Sequence, residues 1–133
     1  MVTLVSCYLP PGKSVLVCDF RALLTLSESV ILAGDFNAKH TNWGCNSTNT
    51  YGKKLLEMTI RHSFDIITPD SNTHLSSNSR PSPSIIDFAC VRNVPFMCTA
   101  EVVAALDSDH PRLACMRICY IGNCNVGPMD AIV

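Results

Sequence analysis

Three short polar clusters in the 133-residue chain contain the residue types of a hydrolytic site. They are Gly-Asp-Phe-Asn at 34–37, Ser-Ile-Ile-Asp-Phe at 84–88 and Ser-Asp-His at 108–110. A histidine accepts a proton near neutral pH, and a buried carboxylate can orient it. Carboxylate and amide oxygens can hold Mg²⁺ and a phosphate oxygen. Together the clusters predict a site that activates water beside a cation.

Each cluster also has a purely structural interpretation. Asp35 and Asn37 are residue types that form turns by bonding to the local backbone. Asp87 lies in an otherwise apolar run, where a salt bridge to Arg92 or Arg112 could compensate its charge. The third cluster could be an ordinary loop entry. The structural interpretations weaken when the clusters are taken together, because strand ends of one sheet can converge and ligands bind there.

Hydrophobic patterning places all three clusters at or near strand ends. It predicts alternating strands and helices followed by a run of strands, which is typical of a layered α/β fold with a mixed sheet. The predicted strands are 2–8, 30–33, 64–68, 85–91, 100–106 and 113–120, and the predicted helices are 14–26 and 53–62. The segments 35–50 and 71–84 are predicted to be polar loops.

Composition excludes several classes of protein. The chain is 47% hydrophobic and only 16% charged, which excludes a disordered protein. No apolar run reaches the roughly 18 residues that span a bilayer. The net charge of −1 is unlike the basic face of a protein that holds nucleic acid by bulk electrostatics. Eight cysteines without a Cys-x-x-Cys motif predict reduced, mostly buried thiols in an intracellular protein.

In this order the motifs resemble those of the endonuclease/exonuclease/phosphatase family. The resemblance rests on Tyr-Leu-Pro at 8–10, Gly-Asp-Phe-Asn-Ala-Lys-His at 34–40, and the clusters at 84–88 and 108–110. Three further segments narrow the resemblance to the endonuclease domain of a jockey-type non-LTR retrotransposon. They are His-Thr-Asn-Trp-Gly at 40–44, Tyr-Gly at 51–52 and Thr-His at 73–74. The family implies a four-layer α/β sandwich of the DNase I-like type, and phosphodiester hydrolysis with Mg²⁺ or Mn²⁺.

The resemblance implies a role for each matching residue of the reaction centre. His110 would be the general base or the partner of the transition-state phosphate, and Asp87 would orient it. Asp35 would orient the attacking water or protonate the leaving oxygen. Asn37 would hold the phosphate and the water, and Tyr8 would donate a hydrogen bond to a phosphate oxygen.

The resemblance further implies a metal ion, a DNA substrate and a larger protein. Asp109 and Asp35 would bind the metal ion. His40 would bond within its loop or contact DNA, and Trp43 would pack in the core or stack on DNA. A reverse transcriptase domain is the expected partner in a full-length element. No membrane partner is expected, and a nuclear location follows from the substrate.

The chain also departs from the family pattern. Family members carry an Asn and a Gln-Glu motif on earlier strands, and that Glu is a principal metal ligand. Neither motif precedes Val2, and Glu28, Glu57 and Glu101 lie elsewhere. We therefore expect a partial domain at 1–120 with its N-terminal part missing, followed by a frayed tail at 121–133. Exposed apolar surface and weak Mg²⁺ binding would follow. The alternatives are an inactive, truncated family fragment and a small interaction domain.

Overall fold

The apolar runs of the chain form strands, and its amphipathic segments form helices. The computed structural model describes residues 1–12, 17–74, 83–95, 97–104 and 114–121. Its elements are β1 (Val2–Tyr8), α1 (Val17–Leu24), β2 (Ser29–Asp35), a 3₁₀ turn (Thr41–Trp43), α2 (Thr50–His62), β3 (Asp65–Ile67), β4 (Asp87–Arg92), β5 (Met97–Ala104) and β6 (Ala114–Ile121). The predicted mixed α/β class is confirmed.

Strands β1 to β4 form one mixed sheet in the order β1-β2-β4-β3. β1 runs parallel to β2, and helix α1 lies in the connection between them. β4 runs antiparallel to both β2 and β3. β5 and β6 form a separate antiparallel pair. The central strands β2 and β4 are buried along most of their length, which is typical of strands covered on both faces.

The two faces of the four-stranded sheet have different partners, because successive side chains of a strand point to opposite faces. One face packs against both helices in a single apolar cluster. That cluster includes Phe20, Leu24, Val30, Leu32, Leu55, Met58, Phe88 and Cys90. On the other face, Ile31, Ala33, Ala89 and Val91 contact Cys98 and Ala100 of β5. The described residues thus form helices, sheet and β5 in that order. The four-layer sandwich stays a prediction.

Most element boundaries differ from the sequence prediction by one to three residues, and a side chain explains two of the differences. α2 begins at Thr50 instead of residue 53, because the Oδ1 atom of Asn49 accepts a hydrogen bond from the Gly52 N–H at 2.8 Å and caps the helix. β4 begins at Asp87 instead of residue 85. The Oγ1 atom of Thr73 accepts a hydrogen bond from the N–H group of Ile86, so this amide does not bond to a neighbouring strand.

Helix length limits what the described part of the chain can do at a membrane. The longer of its two α-helices, α2, has 13 residues. Among the described residues, no helix combines the length and the apolar character that crossing a bilayer requires.

Candidate functional site

Three of the predicted site residues lie side by side at one end of the sheet. Tyr8 is the register partner of Asp35, and Asp35 is the register partner of Asp87. Paired residues share a face of a sheet, so all three lie on the face opposite the helices, with their Cα atoms about 5 Å apart from strand to strand. We call these three residues the carboxylate row. It joins residues that are 79 positions apart in the chain.

A glycine allows the strands to stay paired directly before the row. Gly34 has a φ of +148°, and a Cβ atom at this position would collide with the backbone carbonyl of Cys7 on the neighbouring strand. Any larger residue would push β1 away from β2 at this point. The glycine therefore maintains the spacing between Tyr8 and Asp35.

Asn37 is fixed by three hydrogen bonds beside the row. Its backbone N–H donates to Oδ1 of Asp35 at 2.8 Å, and its Nδ2 atom donates to the carbonyl of Leu9 at 2.9 Å. Its own carbonyl accepts from Nδ2 of Asn49 at 2.8 Å. Its φ of +46° is one that Asn tolerates better than most residues. The turn interpretation of Asp35 and Asn37 is thus correct as a local description, and the same turn holds both side chains next to Tyr8.

Thr73 holds Asp87 in position. Its hydroxyl oxygen accepts from the backbone N–H groups of Ile86 at 2.9 Å and Asp87 at 3.1 Å. The Thr73 side chain also hydrogen-bonds the Asp87 carboxylate, which works to lower the pKa of that group. Because Thr73 is buried, these bonds are protected from competition by water. Thr73 therefore fixes both the backbone and the side chain of Asp87.

His74 lies within electrostatic reach of both carboxylates. It pairs with Ser84 through two backbone hydrogen bonds, of 2.9 Å and 3.0 Å, and is half-buried. Its attraction works to lower the pKa of Asp35 and of Asp87. Sequence reasoning used Thr73 and His74 only as part of the family resemblance. The available signal was their place at the start of a polar loop that returns at Ser84, three residues before Asp87.

Burial disfavours the ionised form of both carboxylates of the row. Loss of water is the largest cause that raises the pKa of Asp35, and it outweighs the hydrogen bonds from Asn37 and the attraction of His74. Burial also raises the pKa of Asp87, and the negative charge of Asp35 adds to this. Adjacent carboxylates with raised pKa values favour binding of a proton or a cation between them.

The salt bridge considered for Asp87 is not formed with Arg92. Arg92 lies at the far end of β4, where its Nη1 atom donates to the carbonyl of Leu24 at 3.1 Å. That interpretation of Asp87 is wrong for this arginine, because the whole of β4 separates the two side chains. Arg112 lies outside the described residues, and so do Asp109 and His110.

The two residues with open alternatives both make contacts within the protein. Trp43 is 6% exposed, its Nε1 atom donates to the carbonyl of Ala38 at 3.1 Å, and its ring lies 5.7 Å from that of Phe88. It packs in the core, and its faces are not available to stack on a base. His40 accepts a hydrogen bond at Nδ1 from the Asn42 N–H at 3.0 Å, so it bonds within its loop.

Comparison with known proteins gives consistent matches. A family described as "Endonuclease-reverse transcriptase" matches residues 2–114. The RNA-directed DNA polymerase from mobile element jockey of Drosophila funebris is 32% identical over 84% of the chain and 12% of its own length. The Drosophila melanogaster protein of the same description is 34% identical over 87% and 13%. The probable RNA-directed DNA polymerase from transposon X-element of Drosophila melanogaster is 30% identical over 77% and 12%.

The matched region is a small part of each relative. The chain spans about one eighth of the length of the curated relatives it matches. No solved structure matches the chain.

Proposed function

The chain belongs to the endonuclease–reverse transcriptase family, and from that premise we propose that it nicks DNA by hydrolysing a phosphodiester bond at the carboxylate row. The match agrees with the resemblance of its motifs. The observation that carries the proposal is the register of Tyr8, Asp35 and Asp87 at one end of the sheet, with Asn37 tied to the same place. These residue types supply a hydroxyl donor, two carboxyl groups and an amide to one phosphate-sized location.

In the proposed reaction, water attacks phosphorus, the bond to one ester oxygen breaks, and that oxygen takes up a proton. The raised pKa of Asp35 supports a role as the donor of this proton. Tyr8 is 67% exposed, so its hydroxyl can donate to a non-bridging phosphate oxygen. The side-chain amide of Asn37 donates to the Leu9 carbonyl and also hydrogen-bonds the Asp35 carboxylate, so a phosphate oxygen or the water would be held by Asn37 and Asp35 together.

Two histidines complete the proposal. His110, whose place is outside the described residues, is the proposed general base that takes a proton from the attacking water, and Asp87 is proposed to orient it. The hydrogen bonds from Thr73 that fix Asp87 support this orienting role. His74 balances part of the negative charge of the row, which lowers the repulsion that an approaching phosphate would meet.

The side chains of the row fit Mg²⁺ or Mn²⁺ in part. Their donors are oxygens, which hard cations prefer, but within the described ranges no three His, Cys, Asp or Glu side chains are grouped to hold a metal ion. Mg²⁺ is commonly held by one or two carboxylates with water and substrate phosphate. Asp109 and Asp35 are the proposed ligands. When bound, the cation would neutralise charge on the phosphate. A protonated Asp35 is no ligand, so its two proposed roles exclude each other at any one moment.

Nicking of supercoiled plasmid by the purified chain tests the proposal. We expect nicked circles in Mg²⁺ or Mn²⁺ and none in excess chelator. Asp87→Asn and His110→Ala should each slow nicking by roughly 100-fold or more, the usual contribution of an acid–base group. The matched control is Asp65→Asn, which neutralises an exposed carboxylate on the same sheet and should leave the rate unchanged. An Asp87→Asn rate equal to that of the control would contradict the proposal.

The second candidate is a family module that does not act alone. The exposed apolar side chains of Leu4 on the edge strand β1 and Met97 on β5 favour it, because another part of a longer protein could cover them. This second candidate predicts that the wild-type chain leaves the plasmid supercoiled in both Mg²⁺ and Mn²⁺. In that case we propose that the module contributes to cleavage only within a longer protein that also holds a reverse transcriptase, as the names of its relatives suggest. A DNA substrate makes the nucleus the proposed location for both candidates.

A further inference from the structure

Basic side chains surround a groove at the end of the sheet opposite the carboxylate row. A cavity of about 350 Å³ is lined by Arg21, Arg61, His62 and Arg92 together with small polar residues. An adjoining cavity of about 530 Å³ shares Arg21, Arg61 and His62. We call the four basic residues and the space between them the arginine groove. Among the residues that the structure describes, no Asp or Glu lines either cavity.

The fold brings these residues together from three separate elements. Arg21 lies in the last turn of α1, Arg61 and His62 close α2, and Arg92 ends β4. Arg92 lies five residue steps along β4 from Asp87, which is roughly 17 Å of strand. A chain with a net charge of only −1 therefore has its half-buried acidic pair at one end of the sheet and a cationic concavity at the other.

One of the three arginines makes a capping hydrogen bond, whereas the described contacts give the other two only the general electrostatic benefit of a helix C-terminus. Basic residues are favourable at helix C-termini, where carbonyl groups lack partners. Arg92 serves this purpose, since its Nη1 atom donates to the Leu24 carbonyl at 3.1 Å. Arg21 and Arg61 are exposed. Within the described ranges, neither has a carboxylate oxygen within 4.0 Å of its guanidinium. Their charges are uncompensated by the described residues and face a common space.

We propose that the arginine groove binds the phosphate backbone of a single nucleic-acid strand, at a place separate from the carboxylate row. Guanidinium groups present a planar fork that pairs with two phosphate oxygens. A nucleic acid is the polyanion to expect because the family joins endonuclease with reverse transcriptase. A single strand can bend its phosphates into a concavity between two helix ends, whereas a duplex is stiff. The inference depends on family membership but not on hydrolysis.

Binding of a fluorescently labelled 20-nucleotide single strand, as RNA and as DNA, tests the inference by anisotropy in EDTA. Without a divalent cation the carboxylate row repels phosphate, so binding reports mainly on the groove. The double variant Arg21→Ala/Arg61→Ala should bind roughly 10- to 30-fold more weakly at 0.1 M salt, because each lost phosphate contact removes about 0.7 from the slope of log K against log salt. The slope should fall by about 1.4.

A double variant at the other end of α2 is the control for charge alone. Lys53→Ala/Lys54→Ala also removes two positive charges, both near the start of α2 and outside both groove cavities. It should change affinity less than threefold. Arg61→Lys, which keeps the charge and loses the fork, should lie between wild type and the double variant. Thermal unfolding checks that each variant folds. If the double arginine variant does not fold, the affinity of Arg61→Lys still tests the inference.

Several results would overturn the inference. One is a wild-type chain that does not bind either strand, and another is an equal loss of affinity in the arginine and lysine variants. A third is competition by inorganic phosphate at concentrations too low for ionic strength to explain, which would indicate a small-anion site. Nicking of plasmid is measured separately. Failure of strand binding therefore leaves the proposed hydrolysis intact, and loss of nicking leaves the groove intact.

Discussion

Asp35 and Asp87 lie next to each other with little water to separate their charges. Hydrogen bonds from Asn37 and Thr73 and the attraction of His74 offset only part of the cost of burial, so both pKa values stay above the ordinary value of 3.8. A fold that needed only stability would gain from replacing one of the pair. The retained pair is the feature of this chain that a purely structural interpretation explains least well.

Neutralising Asp87 should stabilise the protein at neutral pH. A carboxyl whose pKa is raised on folding adds stability below about pH 3.8 and loses it as pH rises through the raised pKa. At pH 7 the wild type bears the full penalty, so we expect Asp87→Asn to raise Tm by about 1–3 °C after solvent screening, with the gain shrinking toward pH 3. Calorimetry in EDTA measures this. A gain that is independent of pH, or one equal in exposed Asp65→Asn, would argue against it.

Trp43 should matter for stability and not for contact with DNA. Trp43→Ala removes a buried ring and a hydrogen bond to the Ala38 carbonyl, so we expect a loss of about 3–5 kcal/mol in the free energy of unfolding, measured in urea. Trp43→Phe keeps most of the volume and should cost less than half of that. If instead Trp43→Phe left stability unchanged and weakened DNA binding tenfold, the result would indicate that Trp43 contacts DNA.

At the scale of the elements, hydrophobic patterning predicts the alternating strands and helices well, because period-2 and 3.6-residue patterns reflect burial directly. It fails where side chains replace backbone partners. The cap of Asn49 extends α2 by three residues, and the hydroxyl of Thr73 shortens β4. Neither contact has a periodic signal in the sequence.

The same limit applies to the candidate site. Strand ends predict that Asp35 and Asp87 converge, since each belongs to an apolar run with a polar end. The roles of Thr73 and His74 depend on a loop path that composition alone does not define. Ser84 is joined to Thr73 and His74 by three backbone hydrogen bonds that no local pattern predicts.

The junction between α2 and the loop after Asp35 should be sensitive to one added carbon. Ala normally improves a helix by about 1 kcal/mol over Gly. At Gly52, however, a Cβ atom would collide with the carbonyl of Lys39. We expect Gly52→Ala to lower the free energy of unfolding by at least about 1 kcal/mol in urea. Lys53→Ala, at the next and exposed position, is the control and should stay within about 0.5 kcal/mol. A stabilising Gly52→Ala would disprove the close approach.

At the scale of the whole molecule, apolar side chains are exposed on β1 and on β5. β1 is an edge strand of the sheet, and its residue Leu4 is 46% exposed. Met97 on β5 is 66% exposed. Leu4→Thr keeps β propensity and removes apolar surface, so binding of a hydrophobic dye should fall while Tm changes by less than about 2 °C. Leu32→Thr, in the core, should instead lower Tm strongly. Unchanged dye binding in Leu4→Thr would show that the dye binds apolar surface elsewhere on the protein.

The register of the carboxylate row has a consequence for the order of events during synthesis. Asp35 meets Asp87 only when β4 pairs with β2, and the 51 residues between the two carboxylates must be made first. Long-range pairings of this kind form late, after local helices and turns. A ribosome-bound chain from which β4 has not yet emerged therefore holds Tyr8 and Asp35 without the second carboxylate of the row. Any activity that depends on the complete row begins only after β4 has paired with β2.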